Sequence, residues 1–180
     1  PVAGKDITLS IDLNLQALGE RLMEGKIGSI VAIEPKTGEV LAMVSAPSYD
    51  PRIMVGRSRG KNHRLLQQDL WKPLLNRSIM GMYPPGSTFK TSQALTYMSE
   101  GIITPGSAFP CHHGFTYRGL HVGCHSHSSP IALVDAISTS CNSYFCWGLY
   151  YMMGNRRKYH NVQDAMSMWR DYMVSMGFGY

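Results

Sequence analysis

One short stretch constrains the fold of this chain more than any other: the seven residues Pro84 to Lys90, which read Pro-Pro-Gly-Ser-Thr-Phe-Lys. Two prolines and a glycine favour an abrupt turn, and the residues after them predict a helix from Ser87 to Glu100 that Gly101 ends. Residues three apart share one face of a helix, so the Lys90 amine is predicted to approach the Ser87 hydroxyl. The stretch therefore pairs a nucleophile with a base at the positive end of a helix dipole.

Composition and charge describe an ordinary folded chain. The 180 residues, 44% of them hydrophobic, are enough for one sizeable core and for one domain or part of one. The net charge is +5, but the basic residues are scattered apart from Arg156 to Lys158, so no nucleic-acid partner is expected. Residues 136–155 carry no charge, yet their first half is too polar for a membrane span. The opening Pro1-Val2-Ala3-Gly4 predicts a cut inside a longer protein.

The first half of the chain predicts a strand, a helix and a hairpin. Lys5 to Ile11 alternate polar and apolar residues as a strand does, and Asp12 is placed to cap a helix whose leucines recur at helical spacing. Two strands, Ser29–Glu34 and Glu39–Ala46, flank the turn Pro35–Gly38. Residues 47–77 are predicted to form a long surface excursion with short helices.

The second half is predicted to be mainly helical. Residues 102–129 are rich in Gly, His and Ser and predict an irregular loop. A helix is predicted to restart at Pro130, followed by a buried helix from Tyr144 to Met153. Asn161 is placed to cap a last helix, whose apolar stripe from Val162 to Met176 predicts core packing.

Two short motifs carry the chemistry. A serine hydroxyl needs a neighbouring base to act as a nucleophile, and a lysine serves as that base only where its pKa is lowered. Ser-x-x-Lys alone is more often a capping serine with a solvated lysine. Ser140-Cys141-Asn142 follows about fifty residues later, and alone it is equally well an ordinary turn between helices. Together the two motifs match the Ser-x-x-Lys and Ser-x-Asn pattern of serine acyl-transfer enzymes.

On these residues the chain resembles the transpeptidase domain of class B penicillin-binding proteins. The resemblance runs almost end to end, over Leu9 to Gln16, Ile30 to Ala46, Asn76-Arg77, Pro84 to Lys90 and Ser138 to Phe145. It implies an α+β fold of the penicillin-binding-protein and serine β-lactamase type, truncated to its helical part and its first hairpin. Residues 1–180 would be one partial domain, with a strand, helix and hairpin in 1–46 and a mainly helical part in 47–180. Pro85 before Gly86-Ser87 is more similar to the elongation branch than to the septal one.

The resemblance also implies an activity and a role for each residue. Ser87 would attack the D-Ala-D-Ala carbonyl of a peptidoglycan stem peptide, and β-lactam antibiotics would acylate the same serine. Lys90 would take the proton of Ser87, Ser140 would relay it, and Asn142 would hold the substrate amide and the lysine. No cofactor is required. The implied location is the periplasmic face of the inner membrane, with an upstream membrane helix and with glycosyltransferase and cell-elongation partners.

The third motif of this family, Lys-Thr-Gly or Lys-Ser-Gly, has a misleading match. Lys36-Thr37-Gly38 spells it, but this triplet precedes Ser87 and is explained as the tip of a hairpin. The true motif is expected beyond Tyr180. Without it, a chain ending there is expected to acylate poorly or not at all.

A segment rich in cysteine and histidine leaves three possibilities open. Cys111, Cys124, His125 and His127 are the candidate zinc ligands, within a group that also contains His112, His113 and His121. No standard finger spacing is present, so a Cys111–Cys124 disulfide and unliganded side chains remain equal alternatives. Cys141 and Cys146 are predicted to be core residues.

Two other functions fit parts of the pattern. One is a β-lactamase or a β-lactam sensor, which would share the serine acyl chemistry. The other is a zinc-stabilised, non-catalytic interaction module in which Ser87 and Lys90 are capping and surface residues.

Overall fold

The computed structural model describes residues 4–179, so the expectations about Pro1 to Ala3 and about Tyr180 lie outside the described residues. The chain divides into two compact units, Pro1–Pro84 and Pro85–Tyr180. Seven α-helices and three two-stranded antiparallel sheets lie among the described residues, which is the α+β content expected from the sequence. None of the helices in this part of the chain has the length and apolar character needed to cross a lipid bilayer.

The first unit contains a helix that packs against a β-hairpin, followed by an excursion with short helices. Helix α1 (Leu13–Leu22) begins as predicted at Asp12, whose Oδ1 accepts from the backbone N–H groups of Asn14 and Leu15 at 2.8 and 3.0 Å. Strands β1 (Gly28–Ile33) and β2 (Val40–Ala46) pair from Gly28 opposite Ala46 to Ile33 opposite Val40. Gly38 has a φ of +76° in the connecting turn, so Lys36-Thr37-Gly38 is the tip of the hairpin, as predicted.

The predicted strand at Lys5 to Ile11 is wrong. These residues form no strand, and their region is joined to β2 by the bonds from Ser10 Oγ to Val40 O (2.8 Å) and from Asp12 N to Leu41 O (2.9 Å). Alternating side chains favour a strand only where a neighbouring backbone supplies a full ladder of hydrogen bonds. Among the described residues, the segment from Lys5 to Ile11 has no continuous set of backbone hydrogen bonds to a neighbouring strand.

The excursion after β2 contains short helices, as predicted. A 3₁₀ turn (Pro51–Met54) is followed by α2 (Arg59–Gln68), which has no buried residue, and by α3 (Arg77–Met80). Arg77 is buried, and its guanidinium donates to the carbonyl oxygens of Trp71 and Lys72 at 2.6 and 3.1 Å. The Arg77 side chain thus holds the backbone of Trp71 and Lys72 against the start of α3.

The second unit contains four helices and two small sheets. In chain order these are α4 (Phe89–Ser99), β3 (Ala108–Phe109), β4 (Gly114–Tyr117), β5 (Leu120–Gly123), β6 (Ile131–Ala132), α5 (Leu133–Ser138), α6 (Asn142–Gly154) and α7 (Val162–Ser175). Strand β3 pairs with β6, and β4 pairs with β5. The core lies around α4 and α6, where Tyr97, Tyr144 and Met152 are fully buried. Asn161 caps α7, as predicted, through a bond of 2.8 Å from the backbone N–H of Asp164.

Three sequence predictions in this unit need correction. Residues 102–129 are not only irregular, because they hold β3 and the β4–β5 hairpin and bury Ile103, Cys111 and Phe115. The helix expected at Pro130 begins at Leu133, because Ile131 and Ala132 first pair with β3.

The third correction concerns α4 and α7. Helical spacing in the sequence makes Leu95 available to the buried face of α4, but Leu95 is 55% exposed, and Tyr97 occupies the core instead. In α7, Ala165 and Met173 are buried as the stripe predicts, whereas Val162 and Met166 are exposed.

Candidate active site

The turn before α4 presents Ser87 to solvent and directs Lys90 inward. Gly86 has a φ of +63°, a conformation that side-chain-bearing residues rarely adopt, and residues Gly86–Thr88 form a 3₁₀ turn. The regular helix begins two residues later than the sequence predicted, so Ser87 lies in the tight turn rather than in α4 itself. Ser87 is exposed, whereas Lys90 is only 9% exposed.

Ser140 occupies the position at which helices usually carry glycine. The N–H of Cys141 donates to Ala136 O at 2.8 Å and the N–H of Ser140 donates to Ile137 O at 3.1 Å, which is the Schellman pattern at the end of α5. Its left-handed residue is Ser140, with a φ of +56°. Non-glycine residues tolerate this conformation poorly, and such strain is often found at functional sites.

These backbone features bring the four predicted site residues together. Ser140 Oγ lies 2.7 Å from Ser87 Oγ and 2.9 Å from Lys90 Nζ, and Lys90 Nζ lies 3.3 Å from Ser87 Oγ. Lys90 Nζ also donates to Ser140 O and to Asn142 Oδ1, each at 2.6 Å. Three proton-exchanging groups are therefore mutually within hydrogen-bond distance.

The surroundings of Lys90 make its ammonium group easier to deprotonate than that of a solvated lysine. Burial lowers the pKa of Lys90 below the ordinary lysine value, and the nearby thiols of Cys124, Cys141 and Cys146 oppose that shift without cancelling it. A neutral amine has two N–H groups and one lone pair. In the charged form Lys90 Nζ donates to the hydroxyls of Ser87 and Ser140 as well as to the two carbonyl oxygens, and after loss of one proton its lone pair would face those hydroxyls.

Asn142 is held on two sides, at the first residue of α6. Its Nδ2 donates to Gly123 O at 2.8 Å, and its backbone N–H donates to Cys124 Sγ at 3.3 Å. Cys141 caps the same helix, because its Sγ accepts from the N–H of Tyr144 at 3.3 Å. The end of the β4–β5 hairpin thus fixes the amide that contacts Lys90, and these contacts of Asn142 with Gly123 and Cys124 were not predictable from the sequence.

A second cluster lies directly behind Asn142. One ligand atom each from Cys111, Cys124, His127 and Cys141 lies within 4.8 Å of the others. His127 Nε2 is 3.4 Å from Cys124 Sγ, and His127 Nδ1 is 2.7 Å from Ser128 O. Burial opposes ionisation of Cys124, but hydrogen bonds from His127 and from the backbone of Asn142 outweigh it and lower the pKa of this thiol. The arrangement suits a soft cation.

The cluster differs from the sequence expectation in two members. His125 is exposed and does not belong to it, whereas Cys141 is the buried core residue that was expected and also belongs to the cluster. His112, His113 and His121 are also exposed and outside it. All four cysteines carry free thiols, so the structure does not contain the alternative Cys111–Cys124 disulfide. The signal that was missed is that Cys141 adjoins Ser140, where the chain turns back toward the cysteine-rich segment.

Comparison with known proteins agrees with this geometry. Residues 28–180 match the family described as the penicillin binding protein transpeptidase domain. Over 99% of its length the chain is similar to peptidoglycan D,D-transpeptidase MrdA of Acinetobacter baumannii, with 34% identity. Its fold is similar to that of Pseudomonas aeruginosa PBP2, with a TM-score of 0.78 and 34% identity over 99% of this chain. It is also similar to penicillin-binding protein A of M. tuberculosis in an imipenem acyl-enzyme complex, with a TM-score of 0.71 and 28% identity over 78% of this chain.

This chain is only a part of each relative's length. It covers 25% of the MrdA relative, 37% of the PBP2 chain and 36% of the penicillin-binding protein A chain. The names of these relatives confirm the resemblance to class B proteins of the elongation branch and the expected partial α+β fold. The chain belongs to the penicillin-binding protein transpeptidase family.

Proposed function

We propose that this chain is the part of a peptidoglycan D,D-transpeptidase in which the serine acyl-enzyme forms. The observation that carries the proposal is the mutual approach of Ser87 Oγ, Lys90 Nζ and Ser140 Oγ. A capping serine with a solvated lysine, the ordinary alternative, would not place the amine at 9% exposure against two carbonyl oxygens. The name of the similar protein, peptidoglycan D,D-transpeptidase, supports peptidoglycan as the substrate, and the family resemblance implies its D-Ala-D-Ala stem peptides.

The geometry supports a proton path through Ser140. The two contacts made by the Ser140 hydroxyl, at 2.7 and 2.9 Å, are both shorter than the direct 3.3 Å contact between Ser87 and Lys90. As Ser87 Oγ attacks the carbonyl carbon, its proton passes to Ser140, whose own proton passes to the Lys90 lone pair. The reverse transfer delivers a proton to the departing D-Ala amine. An acyl-enzyme remains, and the amine of a neighbouring stem peptide resolves it.

Other functional groups have different roles in this proposal. Asn142 holds Lys90 through Oδ1 and orients the amine toward the hydroxyls. Lys36-Thr37-Gly38 forms the hairpin turn and takes no part in the reaction, so a separate Lys-Thr-Gly or Lys-Ser-Gly motif would recognise the substrate carboxylate. In its full-length context the protein would work at the extracytoplasmic face of the membrane, with a membrane anchor and with glycosyltransferase and elongation partners.

Labelling with fluorescent penicillin tests this function. In the full-length gene product, Ser87 should become acylated, and Ser87→Ala should abolish the label. Ser99→Ala, at the exposed last residue of α4, is the matched control and should label normally. Unchanged labelling of Ser87→Ala would refute the proposal, and rapid loss of the label by hydrolysis would favour the β-lactamase alternative.

We also propose that the thiol and imidazole cluster binds a structural zinc ion. Three cysteines and one histidine are a common tetrahedral ligand set, in which sulfur atoms are about 3.8 Å apart. The observed upper limit of 4.8 Å needs only a small contraction to reach that geometry. Since Cys124 and Cys141 flank the backbone of Asn142, the ion would fix the position of the amide that contacts Lys90.

Metal analysis separates the zinc site from unliganded thiols. The purified protein should contain stoichiometric zinc, and chelation should increase the number of titratable thiols. Cys124→Ser should lose the zinc, whereas Cys146→Ser, whose cysteine lies outside the cluster, should retain it. The site would be excluded if the purified protein contained no zinc and a chelator left its stability unchanged.

A further inference from the structure

The ring of Phe145 faces the amine of Lys90, although the reaction proposed for Ser87 assigns this ring no part. Lys90 Nζ lies 5.8 Å from the ring centroid, within the distance at which a cation is attracted to an aromatic face. Phe145 follows Asn142 by three residues in α6, and residues three apart share one face of a helix. The amide of Asn142 and the ring of Phe145 therefore face Lys90 together.

The ring of Phe145 has little freedom to move. Phe145 is 4% exposed, and its ring meets the ring of the fully buried Tyr144 edge-on, with 5.4 Å between the centroids. The carbonyl oxygen of Phe145 accepts a hydrogen bond from the hydroxyl of Tyr97 at 3.3 Å. A ring face that is held in place in this way interacts with a nearby positive charge without first having to reorient.

The other groups that face Lys90 Nζ are dipoles and thiols. Its hydrogen-bond partners are the hydroxyls of Ser87 and Ser140 and the carbonyl oxygens of Ser140 and Asn142. The nearby titratable groups are the thiols of Cys124, Cys141 and Cys146. Within the described part of the chain, no carboxylate lies within 4 Å of this amine. A positive charge on Lys90 is therefore not paired with a carboxylate.

Lys158 provides a comparison within the same unit. Its Nζ lies at the same distance, 5.8 Å, from the ring centroid of Tyr159, but it also lies 2.6 Å from Glu100 Oε2. The side chain of Lys158 is 46% exposed, whereas Lys90 as a whole is only 9% exposed. An aromatic face contributes little to a hydrated cation and more to a desolvated one. The contact with Phe145 is therefore the one in which the ring has the larger effect.

We propose that Phe145 is a positioning residue for acylation, whose ring face stabilises the positive charge that Lys90 acquires when it receives the proton of Ser87. This inference rests on the proposed transpeptidase function and adds a residue outside the two motifs to its site. As Ser87 Oγ bonds to the carbonyl carbon, the carbonyl oxygen takes the electron pair of the broken π bond. The Ser87 proton passes to Ser140, and the Ser140 proton passes to Lys90 Nζ. Lys90 therefore carries more charge in the transition state than before it, and the ring lowers the barrier.

Fluorination of Phe145 tests this role, because Phe145→Leu would also disturb the core. Fluorine withdraws electron density from the ring face and changes the ring volume little, so mono-, di- and trifluorophenylalanine at this position weaken the attraction in steps. In the full-length gene product, the plateau rate of penicillin acylation at high pH, where Lys90 is neutral before the reaction, should fall about two- to fivefold over the series. The pH midpoint of acylation should move lower by about half to one pH unit, because the ammonium form is destabilised as well.

The same substitutions at Phe115 are the matched control. Phe115 is 5% exposed and packs edge-on against Trp147 at 5.0 Å, and among the described residues no cation lies over its ring. Its fluorination should leave the plateau rate and the midpoint unchanged.

The outcomes separate this inference from the function on which it rests. A plateau rate or a midpoint that stays constant across the Phe145 series would overturn the role of Phe145 alone, and so would equal changes in the Phe115 series. No acylation of the unmodified protein would instead overturn the transpeptidase function.

Discussion

Ser140 combines a strained backbone with a hydroxyl at the centre of the candidate site. Its φ of +56° places it in the left-handed region, and its Oγ contacts both Ser87 and Lys90. The Schellman turn requires that conformation from whichever residue follows the cap of α5. At this position, therefore, the backbone favours glycine, whereas the proposed proton path needs a hydroxyl.

Two substitutions at position 140 separate these effects. Ser140→Gly should be about 1 kcal/mol more stable than Ser140→Ala, because glycine alone relieves the left-handed strain. Both variants should lose most of the acylation rate, since neither carries the hydroxyl. Thermal unfolding and penicillin labelling measure the two properties, and equal stability of the variants would contradict the strain argument.

Lys90 should give acylation a characteristic pH dependence. Burial lowers its pKa, so the neutral amine that accepts a proton forms at a lower pH than for a solvated lysine. The acylation rate of the full-length gene product should therefore rise with pH, with a midpoint below the ordinary lysine value of 10.5. Stopped-flow acylation across a pH series gives the midpoint.

The control for this prediction is Lys90→Arg, which keeps the positive charge but cannot lose its proton. It should slow acylation by about 10²- to 10⁴-fold at every pH. A midpoint at or above the ordinary lysine value, or normal acylation by Lys90→Arg, would exclude a neutral Lys90 as the base.

The sequence could predict the residues of the site but not all of their contacts. The three-residue spacing of Ser87 and Lys90 on a helical turn was enough to place them together. Ser140 and Asn142 were assigned to the site only through the family resemblance. About fifty residues separate them from Lys90 in the sequence, so their spacing alone does not show that they contact Lys90. Cys141 is a core residue, as expected, but its place in the cluster was missed and His125 was wrongly included. Cluster membership depends on how the β4–β5 hairpin folds back, and local spacing contains no such information.

At the scale of elements, the positions of Lys90 and Asn142 depend on the close packing of α4 against α6. Gly148 of α6 faces the ring of Tyr97, and a Cβ at Gly148 would lie 2.5 Å from two atoms of that ring. Tyr97 is fully buried, and its hydroxyl donates to Phe145 O at 3.3 Å, so the ring has little room to move. Glycine at 148 thus sets the separation of the helices that carry Lys90 and Asn142.

Alanine substitutions at two glycines of α6 test this crossing. Gly148→Ala should cost about 1–3 kcal/mol, because it overpacks the contact with Tyr97. Gly154→Ala should be neutral or stabilising by less than about 1 kcal/mol, because its Cβ would meet no atom within 4 Å and alanine favours the helix. Denaturant unfolding compares them, and equal effects would refute the role of Gly148.

The end of α4 is stabilised by a buried carboxylate. Glu100 is 7% exposed, and its Oε2 accepts from Lys158 Nζ at 2.6 Å and from the hydroxyl of Tyr159. Burial acts to raise its pKa, but hydrogen bonds from Lys158, Tyr159 and Tyr172 outweigh it, so the pKa lies below the ordinary value of 4.5. A lowered carboxylate pKa stabilises the folded state above the unfolded pKa, and this stability is lost as the pH falls through the folded pKa.

Glu100→Gln should reveal that contribution. At neutral pH the variant should be about 1–3 kcal/mol less stable, because Lys158 loses its anionic partner and the hydrogen bond from Tyr159 loses a charged acceptor. The difference from the unmodified protein should shrink as the pH falls below 4.5 and the carboxylate itself becomes protonated. Thermal unfolding at several pH values measures it, and a constant difference would be evidence against the network.

Elements with a clear hydrophobic periodicity or turn signal were predictable from the sequence, whereas strands of two to four residues were not. Leu15, Leu18 and Leu22 define α1, and Pro35 to Gly38 define the hairpin turn, because both signals are local. The β4–β5 hairpin was missed because its strands, Gly-Phe-Thr-Tyr and Leu-His-Val-Gly, have four residues each, and an alternation over three residues is too short to indicate a strand. Ile131 looked helical because the pairing that makes it a strand lies more than twenty residues earlier.

At the scale of the whole molecule, the two units have unequal cores. The fully buried large side chains Tyr97, Tyr144, Ile131 and Met152 all belong to Pro85–Tyr180. In the described part of Pro1–Pro84, the buried apolar residues are the small side chains Ala42, Val44 and Ala46. Stability that depends on apolar burial is therefore concentrated in the unit that carries Ser87.

Hydrogen exchange measured by mass spectrometry should show this difference. Amides of α4 and α6 should be protected at least tenfold longer than those of β1 and β2, because a smaller core opens with a lower free energy. Amides of α2, which buries no residue, should exchange fastest among the helices. Equal protection of the hairpin and of α6 would mean that contacts other than apolar burial stabilise the first unit.

The left-handed conformation of Ser140 also has a consequence for protein engineering. A library of variants selected only for thermal stability or expression should accumulate glycine at position 140, because that change removes strain without disturbing the core. The selected variants would be well folded but would not be acylated by penicillin at the normal rate. Serine should therefore be kept at position 140 when the protein is engineered for stability. A variant with glycine at this position would have gained stability and lost acylation activity.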